Sequence, residues 1–442
     1  MLTKFKSCFG TGCLQQRFDY GELKMDRLLI NGGHRLEGEL AVHSAKNCVL
    51  ALLAACVLAT RPVTLFNCPK ITDIINMTKI IEALGGKIFW EKDDLTVDCS
   101  VLTGNEIPSS YAKEIRSSLF LMGPIIGRLK HAKAVFPGGC DIGIRPIDLH
   151  LKGLRALNID IEETGGFLYC NGENARGNDI HLDFPSVGAT ENIMMAAVLA
   201  KGKTTITNAA KEPEIAALQK FLNKMGAKIA GAGSSTIVIE GVKKLDGCEF
   251  EPIPDRIVAG TYIIAAAITG GKLLVSNCVP DDITALLSKL ENCVSRLNVG
   301  ENSVYIECLK RPDAISLIET SPYPGFPTDL QAQILALETV SSGTSVIVEN
   351  IFETRYKHVS ELTKMGADIT VRDRLALVRG VNRLKSAEVN ACDLRGGAAL
   401  VLAGLNAEGV TVVNNAKHID CLTKLSILSA RIYAEYERKK SA

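Results

Sequence analysis

Six segments of one kind recur along this 442-residue chain, and their recurrence constrains the fold more than any other feature. "IIEALGGKIFW" (80 to 90), "GLRALNIDIEE" (153 to 163), "FLNKMGAKIAG" (221 to 231) and "ELTKMGADITV" (361 to 371) each read as a helix end, a glycine-type turn and a strand. "LSKLENCVSRLNVG" (287 to 300) and "KLSILSARIYA" (424 to 434) are worn copies of the same pattern. The six lie roughly 63 to 73 residues apart, a period that marks repeated supersecondary units. A second signature precedes the copies, an apolar helix, a Gly turn and a β-branched strand, as in "NIMMAAVLAKGKTTITNAAKEPEI" and "GTYIIAAAITGGKLLVSNCVPDDI". The unit is therefore strand, helix, strand, helix. Helices such as 192 to 200 are apolar nearly all round, so they are expected inside, with sheets packed outside them. Six units predict an α/β protein of two domains, three units in each, and a chain with 47% hydrophobic residues can build two cores.

Charge and cysteine usage narrow the function. With 50 basic and 49 acidic side chains there is no chain-wide field to attract nucleic acid or an anionic membrane. Apolar runs such as "VLALLAACVLA" (49 to 59) are too short to span a bilayer. The first 24 residues lack the apolar core of a secretory signal and read as a poorly ordered extension, with Met25 as a second candidate start. The 14 cysteines are scattered, many inside apolar runs (Cys48, Cys56, Cys278, Cys392), which suits reduced thiols in the cytoplasm. The pair Cys8 and Cys13 has no partner pair or histidine cluster, so no metal is expected there.

One cysteine differs. In "FPGGCDIGIRPIDLH" (136 to 150), Cys140 follows Pro137, Gly138 and Gly139, on a turn instead of in an apolar helix. A thiol so placed is a candidate acid or nucleophile, with Arg145 near enough in sequence to steady a thiolate or an anion.

Nine ordered fingerprints make the chain resemble the enolpyruvyl transferases, and among them those acting on UDP-N-acetylglucosamine. They are "SAKN" (44 to 47), "RSSLFLMGP" (116 to 124), "PGGCDIGIRPIDLH" (137 to 150), "SVGATENIMMAAVLA" (186 to 200), "NAAKEPEI" (208 to 215), "PDRIVAGTY" (254 to 262), "GFPTDLQAQ" (325 to 333), "DLRGGAALVLAG" (393 to 404) and "HID" (418 to 420). The resemblance implies two inside-out α/β domains with the site between them, one formed by 46 to 253 and the other by 25 to 45 plus 254 to 442. It implies transfer of the enolpyruvyl group of phosphoenolpyruvate to the sugar 3'-hydroxyl with release of phosphate, the first committed step of peptidoglycan synthesis. Neither cofactor nor metal is needed, and a monomer is expected.

The resemblance also assigns roles. Cys140 is the general acid, able to add to phosphoenolpyruvate and open to alkylation by the epoxide fosfomycin. Asp329 is the base on the 3'-hydroxyl, and Lys46 and Arg395 complete the catalytic set. Substrate contacts fall to Lys46, Asn47, Arg116, Arg145, Pro146, Ile147, Asp148, Leu149, Ser186, Val187, Asp329, Ile351 and Arg355. Several fixed cations suit the phosphate and carboxylate of phosphoenolpyruvate, with Arg favoured for bidentate contact. From its local sequence, Asp329 also reads as a helix cap after two prolines. His150 and His418 read as packed, hydrogen-bonded residues. Where the family has an arginine after "HID", this chain has Cys421, which raises the alternative of a catalytically impaired, UDP-sugar-binding paralogue with a regulatory role. Lesser departures are His43, Ser44 and the pair Gly396 and Gly397.

Overall fold

The computed structural model describes residues 23–112, 116–136, 147–416 and 432–438. The unit at 179–240 shows how the repeat is built. Strand Asp179–His181 leads into helix Val187–Ala197, strand Lys203–Thr207, helix Pro213–Lys224 and a hairpin of Lys228–Ala230 and Thr236–Glu240. The first and second strands pair in parallel and the rest antiparallel. Five units close on such a hairpin, one strand more than the sequence pattern predicts, and in the sixth sheet its place is taken by Leu23–Asn31 and Ile432–Arg438, paired antiparallel from opposite ends of the chain. Among the described residues five sheets have four strands and one has three, with the fourth reduced to a single bridge, Glu106 to Lys133.

The recurring glycine turn has a definite geometry. Gly226 (φ 105°) follows helix Pro213–Lys224, its N–H donating to Asn223 O while Ala227 N donates to Leu222 O. This left-handed termination satisfies the last carbonyls of the helix and turns the chain into the next strand. Asn158 (φ 61°) does the same in the copy without glycine. A further repeat follows the central strands, where Asn67, Asn208, Asn277 and Asn415 all have positive φ. Asn208 and Asn277 use their side-chain amides to hold Leu182 O and Val42 O, tying each central strand to the chain leaving its parallel edge neighbour.

Burial explains the apolar helices. Nine of the 11 residues of Lys46–Cys56 and 12 of the 13 of Arg256–Ile268 are buried, so these helices have no solvent face and the sheets lie outside them. Full burial of each Ile or Leu contributes about 1.5–3 kcal/mol; a charged residue at Ile264, which is 0% exposed, would abolish the packing. The buried apolar residues form two cores, one spanning 45–245 and the other drawn from 28–42 and 257–416.

The chain crosses between the cores twice, and the crossings are bonded to each other. Ala45 N donates to Ile253 O (2.8 Å), Asp255 N donates to His43 O (2.9 Å), and Ser44 bridges Pro254. Asp255 then ends two helices at once. Its Oδ1 accepts from Ile257 N and Val258 N at the start of Arg256–Ile268, and its Oδ2 from Lys46 N at the start of Lys46–Cys56. Beside it Arg256 pairs with Glu214 across the two cores at 3.2 Å, both nearly buried.

Candidate active site

Asp329 lies in a short 3-10 turn, Thr328–Leu330, directly before helix Gln331–Glu338. Its carboxylate caps no helix N–H, which corrects that part of the sequence expectation. Two guanidinium groups compete for it instead: Arg355 Nη2 reaches Oδ1 at 2.9 Å and Arg395 Nη2 reaches Oδ2 at 2.8 Å. Arg355 is only 3% exposed and also donates to Thr328 O. Burial alone would push the carboxyl up, but Arg395 and then Arg355 outweigh it and hold the group well below the usual carboxylate range.

Each arm of this triad has its own support. Arg395 stands in the first turn of helix Leu394–Asn406, whose N-cap Asp393 accepts from Arg395 N and Gly396 N through Oδ1. The loop before Arg355 is held by fully buried Glu349: Oε1 accepts from Ile351 N and Phe352 N, and Oε2 from Thr328 Oγ1. Ile351 is half-buried there. One carboxylate thus binds the turn that carries Asp329 to the loop of its arginine partner. Sequence reasoning passed over Asp255, Glu349 and Asp393; for the two aspartates a signal was present, each standing directly before an apolar helix as a capping residue does.

From the other core, Lys46 is the first residue of its helix, its Nζ 2.7 Å from Asp73 Oδ2, and Asn47 is half-buried beside it. The N–H groups of that first turn make it an anion-favouring end, where the Asp255 carboxylate already accepts from Lys46 N. Ser186 caps helix Val187–Ala197 through its hydroxyl, accepting from Ala189 N at 3.3 Å, with Val187 half-buried. Buried Ile147 and half-buried Leu149 flank exposed Asp148 at the start of helix Asp148–Ala156. His150 is buried, its Nδ1 3.1 Å from Asn192 Nδ2, a packed and bonded ring as the sequence suggested. Arg116 begins the 3-10 turn Arg116–Leu121. Cys140, Arg145, Pro146, His418 and Cys421 lie outside the described residues. So the structure joins Asp329, Arg355 and Arg395 directly, while Lys46 pairs instead with Asp73. A separate concavity of about 830 Å³, lined by residues such as His131, Lys133, Glu162 and Tyr169 of the three-stranded sheet, includes none of the candidate residues.

The site and the six-unit fold define a class, and comparison with known proteins agrees. Residues 30–421 match the family described as EPSP synthase (3-phosphoshikimate 1-carboxyvinyltransferase), and the chain belongs to this carboxyvinyltransferase family. Within it, the chain is 54% identical over 396 residues to UDP-N-acetylglucosamine 1-carboxyvinyltransferase 2 of Caldanaerobacter subterraneus subsp. tengcongensis, covering 90% of this chain and 95% of that one. It is 44% identical over 424 residues to UDP-N-acetylglucosamine 1-carboxyvinyltransferase of Thermotoga petrophila, covering 94% and 100%. Among solved structures, the enolpyruvyl transferase NikO from Streptomyces tendae superimposes with a TM-score of 0.83 at 24% identity, over 94% of this chain and all of that one, a likeness of fold.

Proposed function

We propose that this chain transfers the enolpyruvyl group of phosphoenolpyruvate to the 3'-hydroxyl of UDP-N-acetylglucosamine, releasing phosphate, as a cytoplasmic enzyme of peptidoglycan synthesis. The relatives' names support the substrates, and one observation carries the chemistry: a carboxylate clamped between two arginines at the mouth of a helix. The domains are 46–253 and 25–45 plus 254–442, a division supported by the two separate cores. The buried cysteines among the described residues, such as Cys48, Cys56, Cys99 and Cys308, carry no disulfide, which fits a reducing compartment.

In the reaction the 3'-oxygen bonds to C2 of phosphoenolpyruvate while its proton passes to Asp329. The Cys140 thiol delivers a proton to C3, giving a tetrahedral adduct. Loss of a C3 proton and of phosphate then restores the double bond in the product. A carboxylate held by two guanidinium groups is a poor base. Phosphoenolpyruvate brings a phosphate and a carboxylate that compete for the same arginines, so substrate binding itself relieves Asp329 and raises its basicity. Lys46, Asn47, Arg116, the 145–149 run, Ser186, Val187 and Ile351 hold the two substrates. Phosphate release tests the reading: it should require phosphoenolpyruvate and UDP-N-acetylglucosamine together, and release supported equally by shikimate 3-phosphate would overturn it.

A further inference from the structure

Behind the triad lies a histidine that neither this reaction scheme nor packing accounts for. His358 is completely buried at the start of helix Val359–Lys364, and among the described residues neither ring nitrogen has a hydrogen-bond partner. Its backbone carbonyl accepts from Glu361 N and Leu362 N, a task open to any residue type. An apolar ring would fill the same space without leaving two polar atoms unpaired.

The surroundings suggest what the ring is for. Asp393 Oδ2 is also buried and unpartnered, although Oδ1 of the same carboxylate caps the helix that carries Arg395. Gly396 lies against both groups: a Cβ placed there would be 3.0 Å from His358 Cβ, 3.5 Å from His358 Cγ and 3.1 Å from Asp393 Oδ2. The missing side chain lets imidazole and carboxylate share one small space. Arg355, whose Nε is likewise buried and unpaired, stands three residues before His358 in the chain and holds Asp329 Oδ1. His358 therefore sits behind both arms of the clamp.

We propose that His358 is a positioning residue for Asp329: its neutral imidazole donates one N–H to Asp393 Oδ2 in the loaded site and so fixes the start of helix Leu394–Asn406, with Arg395, against the base. The inference rests on the function proposed above. Burial, with a smaller contribution from Arg355, outweighs the attraction of Asp393 and holds the imidazole down to about 4. At neutral pH the ring is thus uncharged, with one donor to give and no charge to compete with Arg355 for Asp329.

Two variants of the full chain, His358→Phe and His358→Gln, separate positioning from packing. A space-filling ring predicts that Phe is neutral or stabilising and fully active, since both orphan nitrogens disappear. Positioning predicts a Phe variant melting within about 3 °C of the parent but with kcat/KM for phosphoenolpyruvate lowered about tenfold. Calorimetric affinity for UDP-N-acetylglucosamine should be unchanged, and Gln, which keeps an N–H donor, should recover most of the loss. Full activity in the Phe variant, or a Gln variant as weak as Phe at equal melting temperature, overturns the proposal. Ring nitrogen NMR of the parent gives a readout that needs neither a folded variant nor turnover. It should show one slowly exchanging, hydrogen-bonded N–H on a neutral ring when phosphoenolpyruvate and UDP-N-acetylglucosamine are bound; a charged or freely exchanging ring would contradict it. A parent that releases no phosphate yet shows this N–H would sink the proposed function and leave the histidine assignment standing.

Discussion

Replacing Asp329 by asparagine keeps the side chain's shape and removes the charge that two guanidinium groups share. Arg355 is 3% exposed and Arg395 12%, against 29% for Asp329, so the Arg355 pair is nearly dry and the Arg395 pair somewhat wetter. Removing one partner of a buried ion pair costs about 3–5 kcal/mol, and exposed pairs contribute about 1 kcal/mol or less. The partial exposure of Asp329 places the loss near the lower end of the buried range, about 3 kcal/mol. For a cooperative unit of about 150–250 residues each kcal/mol lowers Tm by about 2–4 °C, so the transition that melts the core around Asp329 should fall by about 6–12 °C. The pH dependence has a definite sign. The folded carboxyl is held below its ordinary value, so its stabilisation is fully present at neutral pH and is lost as pH falls from about 4 through the folded value. Scanning calorimetry of parent and Asp329→Asn should therefore show the full gap at pH 7 and a narrower one at pH 3. Turnover should fall about 10²- to 10⁴-fold with the loss of the base. Equal melting temperatures at pH 7, or a gap that widens in acid, would refute the clamp as a source of stability.

Three further outcomes follow from other parts of the molecule. Asp255→Ala removes the cap of helix Arg256–Ile268 and the bond to Lys46 N, and should cost about 1–3 kcal/mol in denaturant unfolding; a loss confined to a few tenths would show that the two helix ends are held by other means. Burial pushes the thiols of Cys68, Cys99 and Cys170 up to about 12 and that of Cys293 to about 11, so these are poor nucleophiles. Peptide mapping after fosfomycin treatment should find the adduct on Cys140, and adducts spread over the buried cysteines with Cys140 unmodified would refute its assignment as the reactive thiol. Cys421→Arg should improve apparent affinity for phosphoenolpyruvate by at most about 10- to 150-fold, the range of one charge-assisted hydrogen bond; an unchanged KM would mean that the parent does not lack a closing cation.

Much of this was legible in the sequence because the repeat is local chemistry written several times. Gly85, Gly226 and Gly366 each end a helix with positive φ, and the strand that follows is fixed by the turn. Apolarity on every side of helices such as Arg256–Ile268 announced burial, since no polar stripe was left to meet water. The hairpins escaped because strands such as Lys228–Ala230 are too short for alternation to show. The asparagines after the central strands were equally easy to pass over: Asn67 and Asn277 look like ordinary loop residues until their left-handed backbone is seen. At the site, Asp329, Arg355 and Arg395 were named through the resemblance, but their mutual pairing depends on residues 26 and 66 positions apart in the chain. Local sequence pointed instead to a helix cap at Asp329. Glu349 and His358 carried no sequence signal, because a buried polar residue is recognised only by what surrounds it.

The central claim is that one chain joins two named substrates through Asp329. Mass spectrometry of a reaction containing phosphoenolpyruvate and UDP-N-acetylglucosamine tests it most directly. The parent should convert the nucleotide sugar to its enolpyruvyl ether with one phosphate released per product, and Asp329→Asn should form that product at least about 100-fold more slowly. An unmodified nucleotide sugar after prolonged incubation with the parent, or equal rates in the two proteins, would contradict the account.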